Sequence, residues 1–392
     1  MKCVDKFTEI YKKSPTGLAF SPYRICPIGA HSDHQHGKIT GFAIDKGIHI
    51  AYGAKQNGIV ELASLQFPDK RAQWHVGTVP KLKENDWADY LRGATLMLSK
   101  RYPLHVGLCG VIEGSLPIGG LSSSAAVILA FLSALCDVNG VKLSKSEIIQ
   151  VALEAENKYV GVACGKLDQS CEVYSKRRHL LYLDTKDDSY ELIPESPEIK
   201  PYKIAIFFSG IERTLAGSKF NMRVDECTAA AYSLLAYSGM PYGKFGEQRL
   251  RDVPYEVFLK YRERLPENFA KRADHFYTEL MRVEKGAEAW RRGDIDTFGR
   301  LSFESGKSSI YSYETGSDEL KAIYELMLKT DGIYGGRFSG AGFKGCCMAL
   351  IDPAFEESIT EKITKGYLGM FPKLEGKFSV HICESADGVK LS

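Results

Sequence analysis

The chain contains no apolar run approaching the ~18 residues needed to span a membrane. Its first residues, MKCVDKFTEIYKK, are charged and helical in pattern, without the apolar core of an export signal. Neither sign of charge predominates: 51 Lys+Arg against 49 Asp+Glu leave a net charge of +2, which excludes a general polyanion-binding field. The ten cysteines form no CxxC pair, so free thiols in a reducing compartment are expected rather than disulfides or zinc. There is no internal repeat and no low-complexity tract, and GxxxxGK[ST] is absent. What is present, 44% hydrophobic and 26% charged residues over 392 positions, suffices for a sizeable core and is comfortable for two domains. These features predict a cytoplasmic protein with no membrane or nucleic-acid partner.

Mixed periodicities run through both halves. Residues 4–13 have the pattern of a short amphipathic helix, and Gly17–Ile25 that of a strand. Strand-like runs follow at Thr40–Ile44, Gly47–Gly53 and Ile59–Phe67, separated by Gly, Lys or Asn. Asp86–Lys100 is helical in period, with Pro103 as its stop, and His105–Ile112 alternates as a strand. A buried helix over Ala125–Leu135 precedes one that starts near Ser144, where Glu147 completes a capping box. Gly161–Ser170 reads as a loop and His179–Leu183 as a strand; the charged, proline-containing stretch Asp184–Pro201 is the candidate domain junction. The second half opens on a strand, Tyr202–Phe208, and a helix over Lys219–Tyr237, then has helical patterns over Pro254–Gly293 and Ile295–Lys329. Tyr334–Leu350 reads as a Gly-rich loop entering a strand, followed by a helix over Pro353–Met370 and an edge-like strand, Phe378–Cys383. The expected class is α+β, with domains over 1–195 and 196–392.

Three stretches rich in glycine and polar residues carry the chemistry. Pro117-Ile118-Gly119-Gly120-Leu121-Ser122-Ser123-Ser124-Ala125 lies between a strand and a helix, where the helix's positive end suits a phosphate. The competing reading is a serine N-cap with a flexible turn. Pro27–Gly37 contains His31, Asp33, His34 and His36; alternate spacing without a cysteine partner is a weak zinc pattern. Cys164-Gly165-Lys166-Leu167-Asp168-Gln169 and Gly335–Cys346 complete the set.

Together with Ser21-Pro22-Tyr23-Arg24 and Gly29-Ala30-His31-Ser32-Asp33, these motifs resemble the sugar kinases of the GHMP superfamily, on the galactokinase branch and nearest the galacturonokinases. The likeness runs from about Ser21 to Cys383. It implies an N-terminal ribosomal-protein-S5-like domain and a C-terminal ferredoxin-like domain with the cleft between them. It also implies ATP and Mg²⁺, a small sugar or uronic acid as the other substrate, and a monomer or weak dimer. On this resemblance the serine-rich segment (Pro117, Gly119, Gly120, Leu121, Ser122, Ser123, Ser124, Ala125) wraps the ATP phosphates, and Ser124 with Glu156 holds Mg²⁺, a hard ion suited to hydroxyl and carboxylate oxygens. Asp168 is the catalytic aspartate and Arg24 stands beside the anomeric oxygen. Asp33 accepts hydrogen bonds from sugar hydroxyls with His31 nearby, and Gly165 lets the backbone approach the sugar. The same residues also have ordinary readings: surface arginine, solvated helix carboxylate, turn-forming aspartate.

Departures from the galactokinase pattern bear on the substrate. Ala30 replaces a glutamate that contacts the C6 hydroxyl. Two carboxylates ~4 Å apart would repel by roughly 4 kcal/mol at an effective dielectric of 20, about a thousandfold in affinity. Alanine removes that repulsion and admits a C6 acid, or enlarges the pocket for another C6-modified sugar. Tyr23 replaces glycine and offers a phenolic donor. Ser218–Arg223 resembles SxYNxR with Phe220 for tyrosine, losing one hydroxyl. Lys344, where glycine is usual, would meet a substrate carboxylate, a phosphate or only solvent. The resemblance therefore implies phosphorylation of D-galacturonate at its C1 hydroxyl, with galactokinase activity as the alternative and a non-catalytic sugar and ATP sensor less favoured, because the phosphate-loop residues are intact.

Overall fold

The computed structural model describes the backbone of residues 1–211 and 217–390, and the side chains of all of these except 217–219. The first sheet is assembled around one long strand. Helix α1 (Lys2–Tyr11) precedes β1 (Gly17–Ile25), which pairs antiparallel with β2 (Lys38–Lys55). The runs expected at 40–44 and 47–53 are therefore one strand. Gly47 does not interrupt it: a Cβ there would lie 2.1 Å from the Ser21 carbonyl, so glycine is what lets β1 approach closely at its Pro22/Tyr23 bulge. β3 (Ile59–Ser64) pairs with an edge strand not foreseen from the pattern, β4 (Phe67–His75). Its PDKR stretch is exposed, and only Ala72 and Trp74 turn inward, the charged profile of a protected edge.

Helix α2 (Asp89–Ser99) leads to β5 (Gly107–Gly114) and then to α3 (Ser123–Asn139). α3 is apolar nearly all round, with Ile128 through Leu132 fully buried; such a helix belongs inside, and it packs on β1, β2, α2, α4 and α5. α4 (Lys145–Glu154) starts with the expected Ser144/Glu147 capping box. It runs into a π turn, Ala155–Val160, before α5 (Leu167–Tyr174), so the loop expected through Ser170 ends earlier and Asp168 lies in a first helical turn. β6 (His179–Asp184) and β7 (Tyr190–Pro194) form a hairpin, which places a strand inside the expected junction. The sheet order is β4-β3-β5-β2-β6-β7, with β1 also on β2.

β8 (Lys203–Phe208) begins a second, four-stranded sheet. The helices α6 (Gly217–Ser238), α7 (Tyr255–Tyr261), α8 (Glu267–Arg291), α9 (Ile295–Tyr311) and α10 (Asp318–Leu328) come before its next strands. These are β9 (Ile333–Phe338) and β10 (Cys346–Ile351), then α11 (Glu356–Met370) and the edge strand β11 (Ser379–Cys383), in the order β11-β8-β10-β9. Half of the expected Gly-rich loop is thus strand β9: a Cβ on Gly335 would lie 2.1 Å from the Gly299 carbonyl, so the glycines let α9 lie against the strand. A final short strand, β12 (Ser385–Ala386), returns to pair with β2 in the first sheet. The largest core likewise crosses the chain's halves, joining Phe42 and Phe131 to Val283, Trp290 and Phe298.

Candidate active site

The local conformations around α3 put its amino end on a cleft. Ser122 occupies the N-cap at φ 59°, makes no capping bond, and buries its hydroxyl without a partner. The serine-cap reading therefore fails, and the first-turn N–H groups, which no intrahelical carbonyl can reach, remain for a ligand. Gly120, Ser122 and Ser124 line the cleft. Their neighbours do other things: Pro117 is exposed, Leu121 and Ala125 are core, and Ser123 is half-buried off the cleft. The glycine pair meets the other Gly-rich loop. Gly119 (φ 137°) and Gly120 (φ 83°) are positions where a Cβ would lie within 3.0 Å of Gly345 Cα and 2.6 Å of Cys346 Sγ, respectively. Reciprocally, a Cβ on Gly340 would lie 3.0 Å from Gly120 Cα. Two loops far apart in sequence cross backbone to backbone.

Beside this crossing lies an ion pair. β1 turns Arg24 toward the cleft, where its Nε and Nη2 contact Asp168 Oδ1 at 2.8 and 2.7 Å. Nη1 reaches the Gly120 carbonyl at 3.1 Å and Ser339 Oγ at 3.2 Å. Burial works against the Arg24 charge, but Asp168 more than offsets it, and the guanidinium stays protonated above its usual range. On the same wall the π turn carries Glu156, which accepts from Gln169 Nε2 and, at 3.7 Å, from the Cys164 thiol. Burial, then Glu156, push the Cys164 thiol well up, so it remains a donor. Ser124 and Glu156 face one cleft. One hydroxyl and one carboxylate fit an ion that takes its other ligands from phosphate and water, as Mg²⁺ does.

At the far end the turn Gly29-Ala30-His31 and the short 3₁₀ turn Asp33–Gln35 form the wall. Asp33 Oδ2 accepts the Leu167 N–H at the start of α5 at 3.1 Å. A Cβ on Gly165 would lie 2.4 Å from that same oxygen, which explains the glycine. Burial, then the nearby Asp168 charge, push the Asp33 carboxyl up to about 6. His31, in a left-handed conformation (φ 62°), stacks on Tyr313 with centroids 4.5 Å apart; its Nε2 is buried without a partner, although the residue lines the cleft. Burial, then the Arg337 charge, hold that ring's pKa well below the ordinary value, so it is neutral. His34 turns away, to Tyr313 Oη at 2.9 Å, so the histidines do not converge as metal ligands. Among the described residues no group of three or more His, Cys, Asp or Glu is placed to hold a metal.

The cleft thus gathers Arg24, Ala30, His31, Asp33, Gly165, Asp168 and Phe220 with Gly120, Ser122, Ser124 and Glu156. Two expected residues lie elsewhere. Tyr23, next to Arg24 on an alternating strand, points to the opposite face, where its buried hydroxyl bonds the Leu116 backbone. Lys344 is half-buried off the cleft and makes no ion pair among the described residues. The side chains of Ser218 and Lys219 lie outside the described residues. Tyr90 also lines the cleft, whereas its helix neighbours turn elsewhere: Trp87 stacks on Phe67 and Gly93 packs on Tyr159. Sequence reasoning also missed His275 and Glu279 of α8, which fix the Ala30 turn: His275 Nε2 bonds the Ala30 carbonyl at 3.0 Å and Glu279 Oε1 accepts the Gly29 N–H at 2.6 Å. No motif marks them, because they lie on an ordinary amphipathic helix.

Signatures described as GHMP kinases N terminal domain and GHMP kinases C terminal match residues 82–176 and 287–368, and a galactokinase galactose-binding signature matches residues 5–54. A galacturonokinase of Arabidopsis thaliana is 38% identical over 97% of this chain and 94% of its own length. A galactokinase of Roseiflexus sp. (strain RS-1) is 30% identical over 98% and 95%. The crystal structure of Lactococcus lactis galactokinase complexed with galactose superposes with a TM-score of 0.89 at 27% identity, covering 99% of this chain and 98% of that one. The chain belongs to the GHMP kinase family, on its galactokinase branch, and is a sugar kinase.

Proposed function

We propose that the chain transfers the γ-phosphoryl group of ATP to the anomeric hydroxyl of D-galacturonate, giving galacturonate 1-phosphate and ADP. The observation that carries the substrate choice is Ala30: it lines the sugar end of the cleft and puts a methyl group where a glutamate would repel a C6 acid. The A. thaliana relative, a galacturonokinase, supports the same reading. The α3 amino end and the crossed glycine loops receive the triphosphate through backbone N–H groups. Ser124 and Glu156 hold Mg²⁺, which when bound offsets charge on the phosphate oxygens.

Asp168 directs one oxygen to Arg24 and offers the other to the C1 hydroxyl. Held in place by Arg24, it orients the nucleophile and receives its proton as phosphoryl transfer develops. Arg24 faces the bridging oxygens with a fixed charge. Asp33, His31 and the Gly165 backbone hold the sugar hydroxyls, and Phe220 packs against the ring. Tyr23 and Lys344 keep their place in the reading only as residues outside the pocket, Tyr23 by supporting β1. The chain divides near residues 195 and 196 into two domains, and the enzyme is a cytoplasmic monomer or weak dimer. Ten free cysteines support a reducing compartment. No helix among the described residues is long and apolar enough to cross a membrane.

The test is ADP release with galacturonate and with galactose at matched concentrations. Higher kcat/KM for galacturonate is the expected result. A preference for galactose makes the enzyme a galactokinase, and binding without turnover of either sugar makes it a sensor.

A further inference from the structure

Directly behind the Ala30 turn lies a buried ionic cluster whose charges do not cancel. Glu279, 0% exposed, accepts the Gly29 N–H, the Ser305 hydroxyl and Arg282 Nε, the last at 2.7 Å, and stands 3.7 Å from Arg337 Nη1. Arg337 is also 0% exposed, and its other acceptors are all neutral: the Ser305 hydroxyl, Ser309 Oγ at 2.8 Å and the Phe338 carbonyl at 3.1 Å. Two guanidinium groups thus share one carboxylate. A buried charge without a full counter-ion is costly, and no other group in contact with Arg337 supplies one; the Asp33 carboxylate of the cleft, whose charge also acts on Cys26, is directed to the Leu167 N–H instead. Around Arg337, His275 and His31 are neutral, because burial lowers both, and burial raises the Cys26 thiol, so it is protonated. The cluster's field reaches the cleft. The Arg337 charge acts on His31 and Cys26, both of which line it, and the next residue, Phe338, lines it too. His31 Nε2, buried and unpartnered, is on the same side.

We propose that Arg337, Arg282 and Glu279 form a specificity determinant for an anionic sugar: the substrate's C6 carboxylate, seated against Ala30, supplies the counter-charge that no side chain of the turn provides. This rests on the uronate reading above and adds to it the source of the attraction, since Ala30 by itself only removes a repulsion. The cluster acts through its field and through the turn it holds, and touches no reacting atom.

Charge-neutral variants of opposite sign test it. Arg337→Gln removes the excess positive charge, whereas Glu279→Gln doubles it while keeping an oxygen for the Gly29 N–H. Dissociation constants for galacturonate and galactose are measured by calorimetry on the full chain. The expected result is a galacturonate-to-galactose affinity ratio that falls on the order of tenfold in Arg337→Gln and rises by a similar factor in Glu279→Gln. Loss of packing would weaken both sugars together and move both variants the same way. An unchanged ratio, or one that moves in the same direction in both, overturns the proposal. Should Arg337→Gln not fold, Arg282→Gln, whose side chain is partly exposed, replaces it with the same expected fall. If the wild type binds galacturonate but does not phosphorylate it, the functional reading fails while the binding ratio still decides the cluster's role.

Discussion

At the phosphate-loop end of the cleft, Gly119 and Gly120 meet Gly345 and Gly340 with no side chain between them, whereas at the sugar end the Ala30 turn hangs from the side chains of His275 and Glu279. One end is shaped by where a Cβ is forbidden, the other by which charges are buried. In the proposed reaction the first end would meet what all nucleoside triphosphates share, for which backbone N–H groups suffice. In the same proposal the second would separate one sugar from another, which requires side chains whose ionisation is set by their surroundings.

Asp168 sits where the two ends meet, and its replacement should have the largest effect. Asp168→Asn is expected to lower kcat by up to ~10⁴-fold with sugar and ATP still bound, as ADP release and calorimetry together would show. Unaltered turnover would mean that the cleft's two ends are brought together around some other group. Next in size is Ala30→Glu, which should raise KM for galacturonate about a thousandfold and leave galactose far less affected. Equal losses with both sugars would mean that shape, not charge, governs the sugar end.

Asp33 gives a smaller effect with a definite sign. Its carboxyl titrates near 6 in the folded protein against an ordinary 3.8, so the native state holds the proton more tightly than the unfolded chain. Stability from this group is therefore complete below about pH 4, declines as pH rises toward 6, and remains lost above that. Asp33→Asn should stabilise the protein at pH 8 by on the order of 1–3 kcal/mol, seen in the denaturant midpoint, while weakening sugar binding. In the wild type, sugar affinity should fall as pH drops below about 6, because the protonated carboxyl loses acceptor capacity. A pH-independent KM over that range would argue that Asp33 does not hold the sugar. The smallest effect belongs to the opposite end: Gly120→Ala puts a methyl group 2.6 Å from Cys346 Sγ at φ +83° and should cost about 1–2 kcal/mol, with ATP affinity falling more than sugar affinity. An unshifted melting temperature would show that the loop crossing yields easily.

The same contrast explains what the sequence made legible. Gly120, Ser122 and Ser124 of the serine-rich loop, Asp168, Arg24, Asp33 and Glu156 stand in short motifs, and the structure brings all of them to one cleft. Strand β1, the capping box of α4 and the edge position of β11 were readable because local pattern decides them. Gly47 and Gly335 misled, since a glycine inside a strand that admits a neighbouring backbone looks in sequence like a turn. Tyr23 misled through the period of the strand: adjacent residues face opposite sides, and Arg24 already occupied the side toward the cleft. His275 and Glu279 were invisible for another reason. Their task is defined by a turn some 250 residues away, at Gly29 and Ala30, and no local pattern reports so distant a partner.

The crossed glycine loops also bear on recombination between relatives. Because each loop is moulded to the other's backbone, a chimaera joining the first half of this chain to the second half of a neutral-sugar enzyme would inherit a matched pair only if both parents keep glycine at all four contact points. Swapping halves is then a stricter trial of compatibility than overall identity suggests, and selectivity for the acid would need Ala30 from one half together with α8 and β9 from the other.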